Sequence, residues 1–350
     1  MIRVGLIGFG LAGRVFHAPL ISSVEEFKLS AVLERQTDEA RKRYSGILTY
    51  RTLDEMLADR SLDLIVVASP TGTHFEIARR VIEAGRHAVV DKPLAVRPAE
   101  IEELRMLARE RGVLLVPFHN RRWDGDYLTV RTIVEQGVLG RIVAFESRMD
   151  RWAPGATRRL WKNDAAQGGG VLLDLGTHLV DQALALFGLP LGVSAEVDRE
   201  RDGEGANDSF TIRLRYDDMR VTLASNMLSS PAGPRFVLRG THGNYCKRGL
   251  DPQEAALGRI TCIDSPDWGR EEPSAWGVLN LDDNGAMVSR PHETVAGDYR
   301  LFYAGVRDAL EGRGQPPVTP EDASRVARVL EWAEQSAGER WEVPCDWPGA

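Results

Sequence analysis

The chain has 350 residues, long for one hydrophobic core, so two domains are expected, and 43% hydrophobic and 27% charged residues suit a soluble globular protein. A formal net charge of -7 argues against a nucleic-acid surface or an anionic membrane as partner. Cys246, Cys262 and Cys345 have no metal-ligand spacing and form no Cys-x-x-Cys pair, so neither a disulfide framework nor a metal is expected. No apolar run approaches the ~20 residues of a membrane span, and "IRVGLIG" is broken too soon for a signal peptide, so a cytoplasmic location is expected.

Residues 2 to 7 form a β-branched and apolar run, as in a strand buried on both faces of a parallel sheet. Gly8, Phe9, Gly10, Leu11, Ala12 and Gly13 follow and lead into a helical pattern, the context in which a G-x-G-x-x-G loop cradles a pyrophosphate. In that reading Gly8 makes the turn, Gly10 lets backbone amides approach phosphate, and Gly13 permits close helix packing. The acidic residue expected about 20 positions on is Glu34, which stands 34 − 13 = 21 residues after Gly13. Its carboxylate suits a ribose 2′-OH and favours NAD; the adjacent Arg35 keeps NADP open, since a guanidinium binds a 2′-phosphate if Glu34 turns aside.

Further buried-strand runs lie at 29–33, 62–69, 87–90 and 113–118, separated by helical patterns. Thr52 with Glu55 and Thr73 with Glu76 have capping-box spacing, and Pro98 sits at a first helical position. Alternation of strand and helix through about residue 118 predicts a doubly wound parallel sheet. Beyond it Phe210, Ile212, Leu214 and Tyr216 alternate with Ser209, Thr211, Arg213 and Arg215, and Val221, Leu223, Phe236 and Leu238 continue the pattern. That predicts a mostly antiparallel sheet, with helices over 175–188, 297–312 and 320–334; residues 245–296 carry no clear pattern.

Lys92, in "VVDKPLA", follows a parallel strand at the edge where open α/β sheets bind ligands, although a solvated lysine before a turn proline fits equally well. Asp174 and His178 are four apart, so on a helix they share a face. They suit an orienting carboxylate and a proton acceptor; a capping Asp and a core His are the bland alternative.

The glycine loop, "SPTGTHFEIA" (69–78), "DKP" (91–93), "HNRRWDGDY" (119–127) and "GGGVLLDLGTHLVDQ" (168–182), in this order, resemble the glucose-fructose oxidoreductase/inositol dehydrogenase (Gfo/Idh/MocA) family, nearest its scyllo-inositol dehydrogenase-like branch. The resemblance covers the chain to about residue 240. It implies α/β architecture: a Rossmann domain over 1–120 and an α+β domain over 121–350, whose open sheet often pairs subunits into a homodimer or homotetramer. The family's E-K-P lysine corresponds to Lys92, with Asp91 in place of the glutamate, and its D-x-x-x-H pair to Asp174 and His178. The same resemblance implies cofactor contacts from Ser69, Pro70, Thr71, His74, Asp91, Lys92 and Asn120. Substrate contacts are implied from Lys92, Asn120, Arg122, Trp123, Trp161, Asp174 and His178.

The implied activity is hydride transfer between a ring secondary alcohol of a sugar or cyclitol and the nicotinamide of NAD or NADP, with His178 as acid/base, Lys92 binding the reacting oxygen and Asp174 holding substrate. A nucleotide-binding sugar sensor on the same fold is the rival; it has no need of a proton acceptor, so Lys92, Asp174 and His178 together favour the enzyme.

Overall fold

The computed structural model describes residues 1–155, 163–203, 205–259 and 263–348; Arg158, Arg159, Trp161, Lys162 and Cys262 lie outside them. The chain forms two compact units: Met1–Asn120 with Gln253–Trp268 and Asp298–Arg325, and Arg121–Pro252 with Gly269–Gly297 and Val326–Ala350.

In the first unit, β1 (Ile2–Ile7), β2 (Phe27–Leu33), β3 (Leu48–Tyr50), β4 (Leu64–Val67), β5 (His87–Asp91) and β6 (Leu115–Phe118) make one parallel sheet in the order β3-β2-β1-β4-β5-β6. This is the expected Rossmann topology, whose strand order reverses between β1 and β4, where such sheets bind dinucleotides. β1 and β4 are wholly apolar at their centres because helices cover both faces; Val4, Leu6, Ile65, Val66 and Val67 are fully buried, each contributing about 1.5–3 kcal/mol. The short edge strand β3 lacks a buried apolar run, which is why it has no clear pattern in sequence.

Two segments from beyond residue 121 complete this unit. The helix Arg300–Leu310 buries Phe302, Tyr303 and Val306, and Phe118 and Phe27 meet Tyr303 or Phe302 with ring centroids 4.8–6.2 Å apart. Periodicity predicts such a helix but does not say which core its apolar stripe enters.

The second unit is built on β7 (Ile142–Arg148), β8 (Gly192–Asp198), β9 (Ser209–Arg215), β10 (Arg220–Asn226), β11 (Phe236–Gly240), β12 (Gly243–Lys247), β13 (Gly277–Asp283), β14 (Ala286–His292) and β15 (Val343–Pro344). Their order is β14-β13-β12-β11-β7-β10-β9-β8-β15, antiparallel apart from β7 with β10. Phe210, Ile212, Leu214, Val221, Leu223, Phe236 and Leu238 face a core completed by the helices Gly125–Gln136, Thr177–Phe187 and Pro320–Glu339, while Arg213, Arg215 and Arg239 are exposed. The stretch without a pattern, 245–296, supplies β13 and β14, joined by Asn284 and Gly285 at φ 54° and 89°, the Asn-Gly hairpin turn.

The capping box at Thr52 and Glu55 forms. That at Thr73 and Glu76 does not: the Thr73 hydroxyl donates to the Pro70 carbonyl at 2.7 Å and lies 2.8 Å from the Ser69 hydroxyl, tightening the turn before the helix.

Candidate active site

In the first unit the glycines divide by role. A Cβ at Gly13 would stand 2.0 Å from the Gly8 carbonyl oxygen, and one at Gly8, whose φ is +91°, 2.6 Å from that of Ala68. Both positions exclude any side chain for packing reasons. A Cβ at Gly10 meets nothing within 4 Å, so that glycine faces open space, as required of a residue whose backbone approaches a phosphate. The following helix begins as a π-helical turn, Ala12–His17, a geometry frequent at functional sites. The loop therefore fits a dinucleotide.

Glu34, expected at the ribose, is 5% exposed, and both its carboxylate oxygens accept bonds from its own loop: Oε1 from the Thr37 hydroxyl at 2.6 Å and Oε2 from the Ala40 amide at 2.9 Å. Arg51 holds the same loop, donating to the Glu34 carbonyl at 2.7 Å and pairing with Asp38 at 2.7 Å. Arg35 beside it is exposed.

Ser69, Pro70 and Thr71 form the turn after β4, and Asp91, Lys92 and Pro93 end β5, so both groups lie at the carboxyl edge of the sheet. Asp91 Oδ1 accepts from the Lys92 amide at 2.8 Å, a bond to the next residue that suits the shorter side chain. His74, expected near the cofactor, is 1% exposed; Nδ1 lies 2.8 Å from the Pro93 carbonyl oxygen and Nε2 2.9 Å from that of Ser69. Its ring therefore joins two strand ends, and neither nitrogen faces outward. Beneath them His17, absent from the sequence expectations, is wholly buried, with Nδ1 2.7 Å from the Tyr303 hydroxyl. Burial pushes this imidazole down to about 4, with Asp91 opposing and His74 adding to the shift.

In the second unit Asp174 lies in a π-helical turn, Leu172–Gly176, that runs into the helix carrying His178. Asp174 is half-buried and His178 5% exposed. The turn starts where the Leu172 amide donates to the Asn207 side chain at 2.8 Å, and Gly170, at φ +107°, has no room for a Cβ against that side chain. Arg122, expected at the substrate, grips buried Asp181 through Nε and Nη2 at 2.9 and 2.7 Å. One residue on, the Gln182 amide donates to the Arg121 carbonyl at 2.7 Å and accepts from Arg235 at 2.8 Å. Arg235, fully buried, also reaches Ser147 at 2.6 Å and Asp126 at 3.3 Å. These contacts fasten the turn Asn120–Trp123 to the His178 helix. Asp181 and Gln182 stand three and four residues beyond His178, a same-face spacing that is the sequence signal for them. Asn120 closes the first unit, Trp123 is half-buried in the second, and Trp161 lies outside the described residues.

The glycine cradle at the switch point of the parallel sheet defines a dinucleotide-binding protein. Residues 2–119 match the oxidoreductase family with the NAD-binding Rossmann fold, and residues 127–246 match the GFO/IDH/MocA C-terminal domain. The chain is 38% identical over 339 residues to the uncharacterized oxidoreductase YdgJ of Escherichia coli, covering 97% of both. It is 32% identical to scyllo-inositol 2-dehydrogenase (NADP(+)) IolW of Bacillus subtilis, over 97% of this chain and 94% of that one. The solved structure of Bacillus subtilis yvaA superposes with a TM-score of 0.95 at 32% identity, covering 99% and 98% of the two chains. The chain belongs to the Gfo/Idh/MocA family and is an NAD(P)-dependent dehydrogenase. No helix among the described residues is long and apolar enough to cross a membrane.

Proposed function

We propose that the chain oxidises, reversibly, a ring secondary alcohol of a sugar or cyclitol to the ketone and prefers NADP. The observation that carries the reading is the glycine cradle, open at Gly10, on the sheet edge that also bears Lys92. The preference for NADP rests on Glu34, whose two carboxylate oxygens already accept from Thr37 and Ala40, beside an exposed Arg35 available to a 2′-phosphate. A relative named as NADP(+)-dependent agrees with it.

When bound, the nicotinamide takes or returns the hydride. Lys92 donates to the reacting oxygen and stabilises the charge that develops there, and His178 takes the hydroxyl proton on a ring nitrogen. Asp174 accepts from a substrate hydroxyl, and Asn120 and Trp123 line the substrate. Arg122 acts through Asp181, holding the turn that carries Trp123. A second copy covers the solvent face of the nine-stranded sheet, where Val278 and Met287 are 42% and 60% exposed.

The test is a panel of cyclitols, aldoses, anhydrosugars and uronic acids with NADP and NAD, read at the reduced-nicotinamide absorbance. Turnover with a polyol, faster with NADP, is expected. Tight dinucleotide binding with no reduction by any polyol overturns the reading.

A further inference from the structure

We infer that Arg51 is a positioning residue for coenzyme choice: its guanidinium fixes the loop Glu34–Asp38 in the arrangement that keeps the Glu34 carboxylate from a ribose 2′-hydroxyl. In the function proposed for the chain this loop meets the dinucleotide's ribose, and the role of Arg51 rests on that reading. Glu34 leaves the carboxyl end of β2, where its amide donates to the Tyr50 carbonyl at 3.1 Å and Leu33 pairs with Tyr50 across the parallel sheet. Arg51 thus follows directly on the strand that borders Glu34. Its own backbone is held by the capping box that opens the next helix: the Arg51 and Thr52 amides both donate to Glu55 Oε2, at 2.9 and 3.0 Å.

From that root the side chain spans the loop. Nη1 carries two N–H groups and donates to the Glu34 carbonyl at 2.7 Å and to the Thr37 carbonyl, while Nη2 pairs with Asp38 at 2.7 Å. Drawing the carbonyls of residues 34 and 37 to one nitrogen closes the loop. Once closed, it presents the Thr37 hydroxyl to Glu34 Oε1 at 2.6 Å and the Ala40 amide to Oε2 at 2.9 Å, so both carboxylate oxygens are occupied. Asp38 precedes the helix Glu39–Arg43, yet its carboxylate caps no amide there and turns to Arg51 instead. A planar fork meets these three acceptors together, which a lysine ammonium does not. Without the fork both carbonyls and Asp38 pass to water, the loop opens, and Glu34 reaches a ribose hydroxyl or repels a 2′-phosphate.

The affinities of NADPH and NADH for the full chain, read by fluorescence titration with no substrate present, test this. In Arg51→Ala the preference for NADPH over NADH is expected to fall about tenfold from the wild-type ratio, because Glu34 gains a ribose hydrogen bond and sets its charge against the phosphate. Arg51→Lys, which keeps the charge without the fork, is expected to recover part of the loss. In a Glu34→Gln background Arg51→Ala is expected to leave the ratio nearly unaltered, since the carboxylate through which Arg51 acts is gone. An unchanged ratio in Arg51→Ala overturns the inference. So does an equal fall with and without Glu34, which would make Arg51 a direct ligand of the 2′-phosphate. Should Arg51→Ala not fold, Thr37→Val, which takes the hydroxyl from Glu34 Oε1, is expected to move the ratio the same way, and an unmoved ratio there is equally fatal. A wild-type chain that binds NADH more tightly than NADPH refutes the proposed preference for NADP, and Arg51 is then judged by the same change in ratio.

Discussion

The two units hold their functional groups by different means. In the first, the work is done by backbone: glycines that leave room, carbonyls of Ser69 and Pro93 gathered by one imidazole, and the Glu34 loop closed on its own amide and hydroxyl groups. In the second, side chains are held by side chains, through Arg122 with Asp181, Arg121 with Asp124, and Arg235 with Gln182 and Asp126. A dinucleotide's phosphates and ribose are met by main-chain groups, which any sequence supplies once its glycines allow the approach. The polyhydroxylated ring proposed as substrate would need donors and acceptors at set places, which side chains fixed by buried charge pairs can supply.

The contrast is broken most severely at the chemistry itself. His178→Ala should lower turnover by a factor on the order of 10²–10⁴ with dinucleotide affinity nearly normal, because on the proposed mechanism it removes the proton acceptor and leaves the cradle untouched. Lys92→Ala should cost at least as much, and full activity in both would remove these roles.

Next comes the support of the second unit. Arg235→Leu leaves the buried Asp126 carboxylate without its ion-pair partner and should destabilise by ~3–5 kcal/mol in urea unfolding. Adding Asp126→Leu should restore part of that loss, and a loss no smaller than the sum of the single changes would show that the pair is not coupled.

The first unit answers to acid instead. Because burial lowers His17 from 6.5 to about 4, the unfolded chain binds this proton more readily than the folded one. The stability it contributes is complete above pH 6.5 and is lost as the pH falls from there toward about 4, up to ~3 kcal/mol. His17→Gln should flatten the unfolding midpoint over that interval; an unaltered slope would assign the acid sensitivity elsewhere.

The smallest effects sharpen the backbone argument. Gly10→Ala should fold normally and bind dinucleotide about tenfold more weakly, while Gly13→Ala should be unstable, since only the second Cβ meets a carbonyl. Arg35→Ala should lower the NADP to NAD ratio of kcat/KM by about tenfold or more, and an unchanged ratio would place the 2′-phosphate contact elsewhere.

Much of this architecture could be read in advance where a local rule governs it. The strands β1, β4, β5 and β6 announce themselves as short apolar runs because both faces of a parallel sheet are covered, and β9 by strict alternation because one face is wet. The capping-box spacing yields a box at Thr52 but not at Thr73, whose hydroxyl has nearer partners in Ser69 and Pro70. β13 and β14 carry no legible strand pattern although their Asn284–Gly285 turn is a strong hairpin signal, because β14 is exposed along nearly its whole length and shows no alternation.

The sequence by itself determined the strands and helices that follow a local period and the glycine loop, since period and turn chemistry act over a few neighbouring positions, and its resemblance to a family pointed to Lys92, Asp174 and His178. Only the tertiary structure decided that Tyr299, Phe302 and Tyr303 complete the first core, that Glu34 turns to its own loop, and that His74 gathers two carbonyls. Only there, too, did Arg122 prove to be held by Asp181 and Gln182 by Arg235. The reason is range: His17 and Tyr303 are 286 residues apart, and Gln182 and Arg235 are 53. A polar side chain takes whichever partner burial brings within about 3 Å, and nothing in the local pattern names that partner.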